Sequence, residues 1–82
     1  MLNIEQFATI CAHSLAIHMA KPGNAGPNFT WDESFPRMAV THIQTQWFLA
    51  NRSERTINQR LVMVERIAKK VARDFAEITG KP

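Results

Sequence analysis

SERTINQRLVMVERIAKKVARDFAEIT, residues 53–79, is the stretch whose periodicity decides the fold. Wound at 3.6 residues per turn, it gathers Ile57, Leu61, Val64, Ala68, Val71, Phe75 and Ile78 into one apolar stripe. Arg52, just ahead of it, and Arg55, Arg66, Lys69, Lys70 and Arg73 fall on the far side. The spacing predicts one long amphipathic helix over 53–79, with one face for a core and the other for a polyanion. Ser53 supplies an N-cap, Glu54 an acidic first turn, Gly80 a C′ residue and Pro82 a stop.

Working back from that helix, Asn51-Arg52 reads as a break, because Asn tolerates the left-handed conformation that ends a helix. A second helix over about 35–50 places Val40, Ile43, Trp47 and Ala50 on one side, turns Gln44, Thr41 and Thr45 away, and leaves Phe48 and Leu49 off the stripe. Before it, PGNAGP and then FTWDESF form a connection over 21–34, with a short turn near 31–34 where Thr30 and Glu33 suit a capping box. Phe29, Trp31 and Phe35 either plug the open end of a helix pair or anchor a contact to bases or to a protein groove.

A first helix over about 4–20 starts at Asn3, with Gln6 completing a capping box and Leu2 and Phe7 placed for a hydrophobic staple. Phe7, Cys11, Leu15 and Met19 recur at helical spacing, and Ile10 and Ile17 widen their stripe. No segment alternates with a strand's period. The expectation is therefore all-α: a single domain, 1–82, of three helices with a long C-terminal amphipathic one. A chain of 82 residues buries only about 60% of its unfolded surface, which leaves homodimerisation through the third helix or the first open.

Charge is unevenly placed. Residues 1–50 carry two basic and three acidic side chains, and residues 51–82 carry eight and four, so the net charge of +3 belongs to the last helix. Such asymmetry bears on attraction to phosphate or to an acidic protein. The single cysteine, Cys11, allows no internal disulfide and points to a reducing cytoplasm. The apolar run from Ile10 to Ala20 has Glu5 before it, histidines and a serine within it and no basic opening, so it reads as neither signal peptide nor membrane span. His13 and His18 project about 140° apart on a helix, so one metal cannot take both. His18 reads as partly buried and Cys11 as core-lining. No cofactor motif, metal set or catalytic constellation is visible, and the chain reads as non-enzymatic.

Gln44 to Leu61, QTQWFLANRSERTINQRL, resembles the bacterial helix-turn-helix pattern, with Ser53, Thr56, Ile57 and Leu61 at matching positions. Gln46 and Asn51 stand where that pattern has a small residue and a glycine. The resemblance implies that Arg52, Glu54, Arg55, Asn58 and Gln59 lie near bases and phosphates. Trp47 to about Glu77 also resembles the SAM-like N-terminal DNA-binding domain of tyrosine recombinases, through Trp47-Phe48-Leu49, Ser53, Thr56-Ile57, Leu61 and Val64. That family's catalytic residues belong to a separate domain, and this chain has no tyrosine, so the likeness implies DNA contact without strand-exchange chemistry.

The expected function is that of a small DNA-binding accessory protein of the kind phages and mobile elements encode, contacting nucleic acid through Arg52, Arg55, Asn58, Gln59, Arg66, Lys69, Lys70 and Arg73. The alternative is a protein-interaction module, such as a phage inhibitor of a host nucleic-acid-handling or defence complex. Asp74-Lys70, Arg73-Glu77 and Glu65-Lys69 are all i,i+4 pairs, so the spacing concentrates free positive charge at Arg52, Arg55 and Arg66.

Overall fold

Local signals set the ends of the elements. The Asn3 side chain accepts from the Gln6 N–H at 2.8 Å and its own N–H donates to Gln6 Oε1 at 3.0 Å, which starts the first helix. Gly80 ends the last helix at φ 68°, and Asn51, at φ 59°, takes the left-handed conformation expected of it. The computed structural model describes residues 2–82. Among them it forms α1 (Ile4–Ala20), α2 (Ser34–Leu49), α3 (Glu54–Asn58) and α4 (Leu61–Thr79), with no strand.

The start of α1 meets the end of α2, where the Phe7 and Trp47 ring centres are 5.1 Å apart. Trp31, ahead of α2, meets Phe75 near the end of α4 at 5.4 Å. Hence α2 runs antiparallel to both α1 and α4, which lie parallel to each other. The three long helices pack pairwise around one core, and α3 leans on α2.

The long helix expected over 53–79 is two helices. Gln59 keeps the i−4 bond to Arg55, but the Arg60 N–H donates instead to Ile57, three residues back, and Arg60 leaves helical geometry at φ −117°. Neither residue is a helix breaker. The break follows from two tethers that hold α3 against α2: Trp47 Nε1 donates to the Ser53 carbonyl at 2.8 Å, and Gln44 Nε2 donates to Asn58 Oδ1 at 3.2 Å. They keep Ile57 in the core beneath the end of α2 while α4 takes its own line between α1 and α2.

Small side chains set the close approach of α1. Ile4, Ala8, Ala12 and Ala16 form its buried line, four residues apart, and Ala39, Ala68 and Ala72 are buried opposite. Phe7, Cys11, Leu15 and Met19 flank that line half-buried. Ile10 and Ile17 do not widen the core as expected; they are 53% and 56% exposed, because both neighbouring helices lie on the alanine side. Leu2 is exposed too, so the Phe7 ring turns to Trp47 rather than completing a staple. On α2 the buried residues are Phe35, Ala39, Ile43 and Trp47; Val40 is half-buried and Ala50 lies outside.

One tryptophan closes each end of the bundle. Trp31 is buried against Phe29, Phe35 and Phe75, with ring centres 5.0 to 5.4 Å apart, and its N–H and that of Asp32 both donate to the Pro82 backbone oxygen. The 29–35 segment is therefore a plug: Trp31 and Phe35 are buried and Phe29 half-buried, which removes them as an aromatic contact surface. Fully burying a side chain such as Phe35 contributes about 1.5–3 kcal/mol. Thr30 Oγ1 accepts from the N–H groups of Glu33 and Ser34 and sets up the start of α2. Ile78, expected in the apolar stripe, is 74% exposed, because the Trp31 cluster completes the core one turn earlier at Phe75.

Candidate nucleic-acid interface

The positively charged residues divide into those the fold uses and those it leaves in water. Arg52 belongs to the first group. Its guanidinium lies 3.9 Å from the centre of the Trp47 ring and 5.9 Å from that of Phe7, and Nη2 donates to the Leu2 carbonyl at 2.9 Å. This half-buried side chain ties the first residues of the chain to the end of α2. It is a structural clasp, not the free charge that the i,i+4 spacing assigned to it. Asn58 is likewise engaged with Gln44, whereas Arg55 and Gln59 are exposed on and just after α3.

On α4, Arg66, Lys69, Lys70 and Arg73 are all exposed. Of the three i,i+4 pairs expected to neutralise them, only Lys70–Asp74 forms, at 3.1 Å, and it is the one salt bridge among the described residues. Arg73–Glu77 and Glu65–Lys69 stay apart, since exposed pairs gain little from holding two long side chains together. Free positive charge therefore sits at Arg66, Lys69 and Arg73, across two turns spanning roughly 10.5 Å. Val62, 75% exposed, heads the same row one turn before Arg66. The break at Arg60 takes Arg55 out of register with this row.

Between this row and the first half of α2 runs a shallow groove. Arg66, Lys69 and Arg73 form one wall, Asp32, Glu33 and Arg37 the other, with Pro36, Ala72 and Ala76 between them and Glu65 at one end. The carboxylates on the α2 side repel a phosphate and leave the outer, α4 side as the favourable place for it. Arginine forks placed there can take phosphate oxygens two at a time.

Two cations escaped the periodicity reading. Arg37 stands alone in α2 and reaches the groove only through tertiary packing. Arg60 would lie at the edge of the apolar stripe in a continuous helix and stands exposed at the break before α4.

Elsewhere, His13 Nδ1 meets the Thr9 carbonyl at 2.8 Å, and its ring packs on Phe75 at 6.4 Å. His18 is exposed rather than partly buried, its carbonyl taken up by the Lys21 N–H and by Asn24 Nδ2 at the helix end. Burial pushes the Cys11 thiol above its ordinary pKa, which keeps it protonated and a poor nucleophile. Among the described residues no three His, Cys, Asp or Glu side chains are grouped to hold a metal ion, and no helix is long and apolar enough to cross a membrane. Comparison with protein-family models, with curated proteins and with solved structures finds no match.

Proposed function

We propose that this chain is a small, non-enzymatic nucleic-acid-binding accessory protein, with DNA its favoured target and the cytoplasm its place of work. The outer face of α4 receives the phosphate backbone. The carrying observation is that Arg66, Lys69 and Arg73 stand exposed on successive turns with no carboxylate within salt-bridge distance among the described residues. Arg55 and Arg60 are exposed too, on α3 and at the break before α4. The resemblance of residues 44–61 to a helix-turn-helix points to the same ligand. With α3 only five residues long, α4 rather than α3 carries the contact.

Titration of mixed-sequence duplex DNA over a range of salt tests this. Affinity should fall steeply with salt, and Arg66→Ala with Arg73→Ala should reduce the log–log slope by about two, one for each phosphate that is no longer neutralised. Absence of any complex at low salt would defeat the proposal.

A second function is favoured by a specific observation: Phe48 and Leu49 are 58% and 64% exposed at the end of α2, close in sequence to the exposed Arg55. An apolar pair beside a cation suits a protein-interaction module, such as an inhibitor of a host nucleic-acid-handling or defence complex. Pull-down with and without nuclease separates the two, since a protein target survives digestion and DNA-bridged partners do not.

A further inference from the structure

The groove between α2 and α4 has walls of opposite sign at its Trp31 end. Asp32 and Glu33 are exposed on the α2 side; Lys69 and Arg73 stand across from them, with Arg66 one turn back along α4. These facing charges do not close on one another, since Lys70–Asp74 is the one salt bridge among the described residues. Between the walls lies an apolar floor of half-buried Pro36 and Ala76 and buried Ala72. Glu33 makes no capping bond to α2, and Asp32 is held through its backbone N–H, which leaves both carboxylates facing the groove without a partner of opposite charge. Further along, Arg37 and Glu65 exchange the signs of the two walls and bound this stretch.

We infer that the groove takes a single nucleic-acid strand, its phosphate on the α4 cations and an amino-bearing base, cytosine or adenine, laid across the floor with its amino group at Asp32 and Glu33. This rests on the nucleic-acid reading above and names the form of the ligand. Charge complementarity selects it. A bare polyanion satisfies Arg66, Lys69 and Arg73 but meets two carboxylates on the other wall. A nucleotide with its anion at one end and a donor at the other satisfies both. Packed helix axes lie about 8–10 Å apart, a gap that admits one nucleotide but not a duplex. Carboxylate oxygens only accept hydrogen bonds, so they favour cytosine N4 or adenine N6 and reject thymine, whose edge carries O4 and a methyl group. A duplex holds its bases in the stack, so the base reaches the groove only from a single strand.

Fluorescence anisotropy with the intact chain and labelled oligo(dC), oligo(dT) and a cytosine-rich strand with and without its complement, all at one low salt concentration, tests the inference. Oligo(dC) should bind roughly three- to tenfold more tightly than oligo(dT), although the two carry the same phosphates. Annealing the cytosine-rich strand to its complement should weaken its binding. Asp32→Asn/Glu33→Gln should raise the affinity for oligo(dT) by removing repulsion and bring the two oligonucleotides close together, with helicity by circular dichroism unchanged. If the carboxylates only repel phosphate, both oligonucleotides gain alike and their ratio persists, which overturns the inference. Equal affinity of the unaltered chain for oligo(dC) and oligo(dT), or a duplex bound as tightly as its cytosine-rich strand, overturns it and leaves the nucleic-acid reading standing. No binding to any strand or to duplex overturns both.

Discussion

The Arg52 guanidinium packs 3.9 Å from the centre of the Trp47 ring while its Nη2 hydrogen-bonds the Leu2 carbonyl, fifty residues away in sequence. One side chain thus holds the first residues of the chain, the end of α2 and the approach to α3, and Trp47 completes the clasp by donating to Ser53. Arg52→Ala should lower the unfolding free energy by about 1–2 kcal/mol, because it removes a cation–π interaction and a charged hydrogen bond together. Arg52→Lys should restore only part of it, because an ammonium does not stack as a guanidinium plane does. Urea denaturation measures both. The salt slope of DNA binding should stay unchanged in either variant, in contrast to Arg66→Ala; a smaller slope with intact stability would return Arg52 to the interface.

Ala12 has no exposed surface and lies at the centre of the alanine line where α1 meets α2 and α4. Ala12→Leu adds three carbons where helices already touch, so it should cost about 1–3 kcal/mol or more by overpacking. Ile10→Ala, two residues earlier on the outer face, should stay within about 0.5 kcal/mol in the monomer. Thermal melts at low concentration compare the two. Equal losses would mean that the burial assigned to the two sides of α1 is reversed.

These contrasts mark where the sequence is legible. The Asn3 capping box, the left-handed Asn51 and the αL Gly80 depend on residues within a turn of one another, and the sequence alone places them. Periodicity also separates the core side of residues 61–75 from the basic side. On α1 it finds the Phe7, Cys11, Leu15 and Met19 side that packs on the core but extends it wrongly to Ile10 and Ile17, because hydropathy weights them above Ala8, Ala12 and Ala16, although close packing selects the small residues. The break before Leu61 has no local cause: it depends on Gln44 with Asn58, fourteen residues apart, and on Trp47 with Ser53. The candidate interface shows the same division. Spacing puts Arg66, Lys69 and Arg73 on one side, but which i,i+4 partners close and where Arg52 is anchored depend on side-chain entropy and tertiary contacts.

Cys11 gives a pH-dependent readout. Desolvation raises its folded pKa above that of the unfolded chain, so the folded state resists ionisation. The stability linked to this group is fully present below the ordinary thiol pKa and is lost as pH rises from there through the raised folded value. Alkylation by iodoacetamide at mildly alkaline pH should be slower for the folded chain than for the chain in urea. Cys11→Ser should remove the part of the alkaline destabilisation due to this thiol. Equal alkylation rates in the two states would mean that the thiol is not shielded by the fold.

The opposite end of the bundle is held by the backbone. The Pro82 oxygen accepts from the N–H groups of Trp31 and Asp32, and Trp31 is buried among Phe29, Phe35 and Phe75. Deleting Lys81 and Pro82 leaves the Trp31 donor without its acceptor, at a cost of about 1–2 kcal/mol. Lys81→Ala keeps the backbone and should cost almost nothing. Because this closure lies at the far end of the bundle from the Arg52 clasp, the deletion combined with Arg52→Ala should cost the sum of the two separate effects to within about 0.5 kcal/mol. A clear departure from additivity in urea melts would mean that the ends communicate through α4, which carries Phe75 one turn before its end and whose first turn follows the tethered α3. Additivity would identify Trp31 and Trp47 as independent closures of one core.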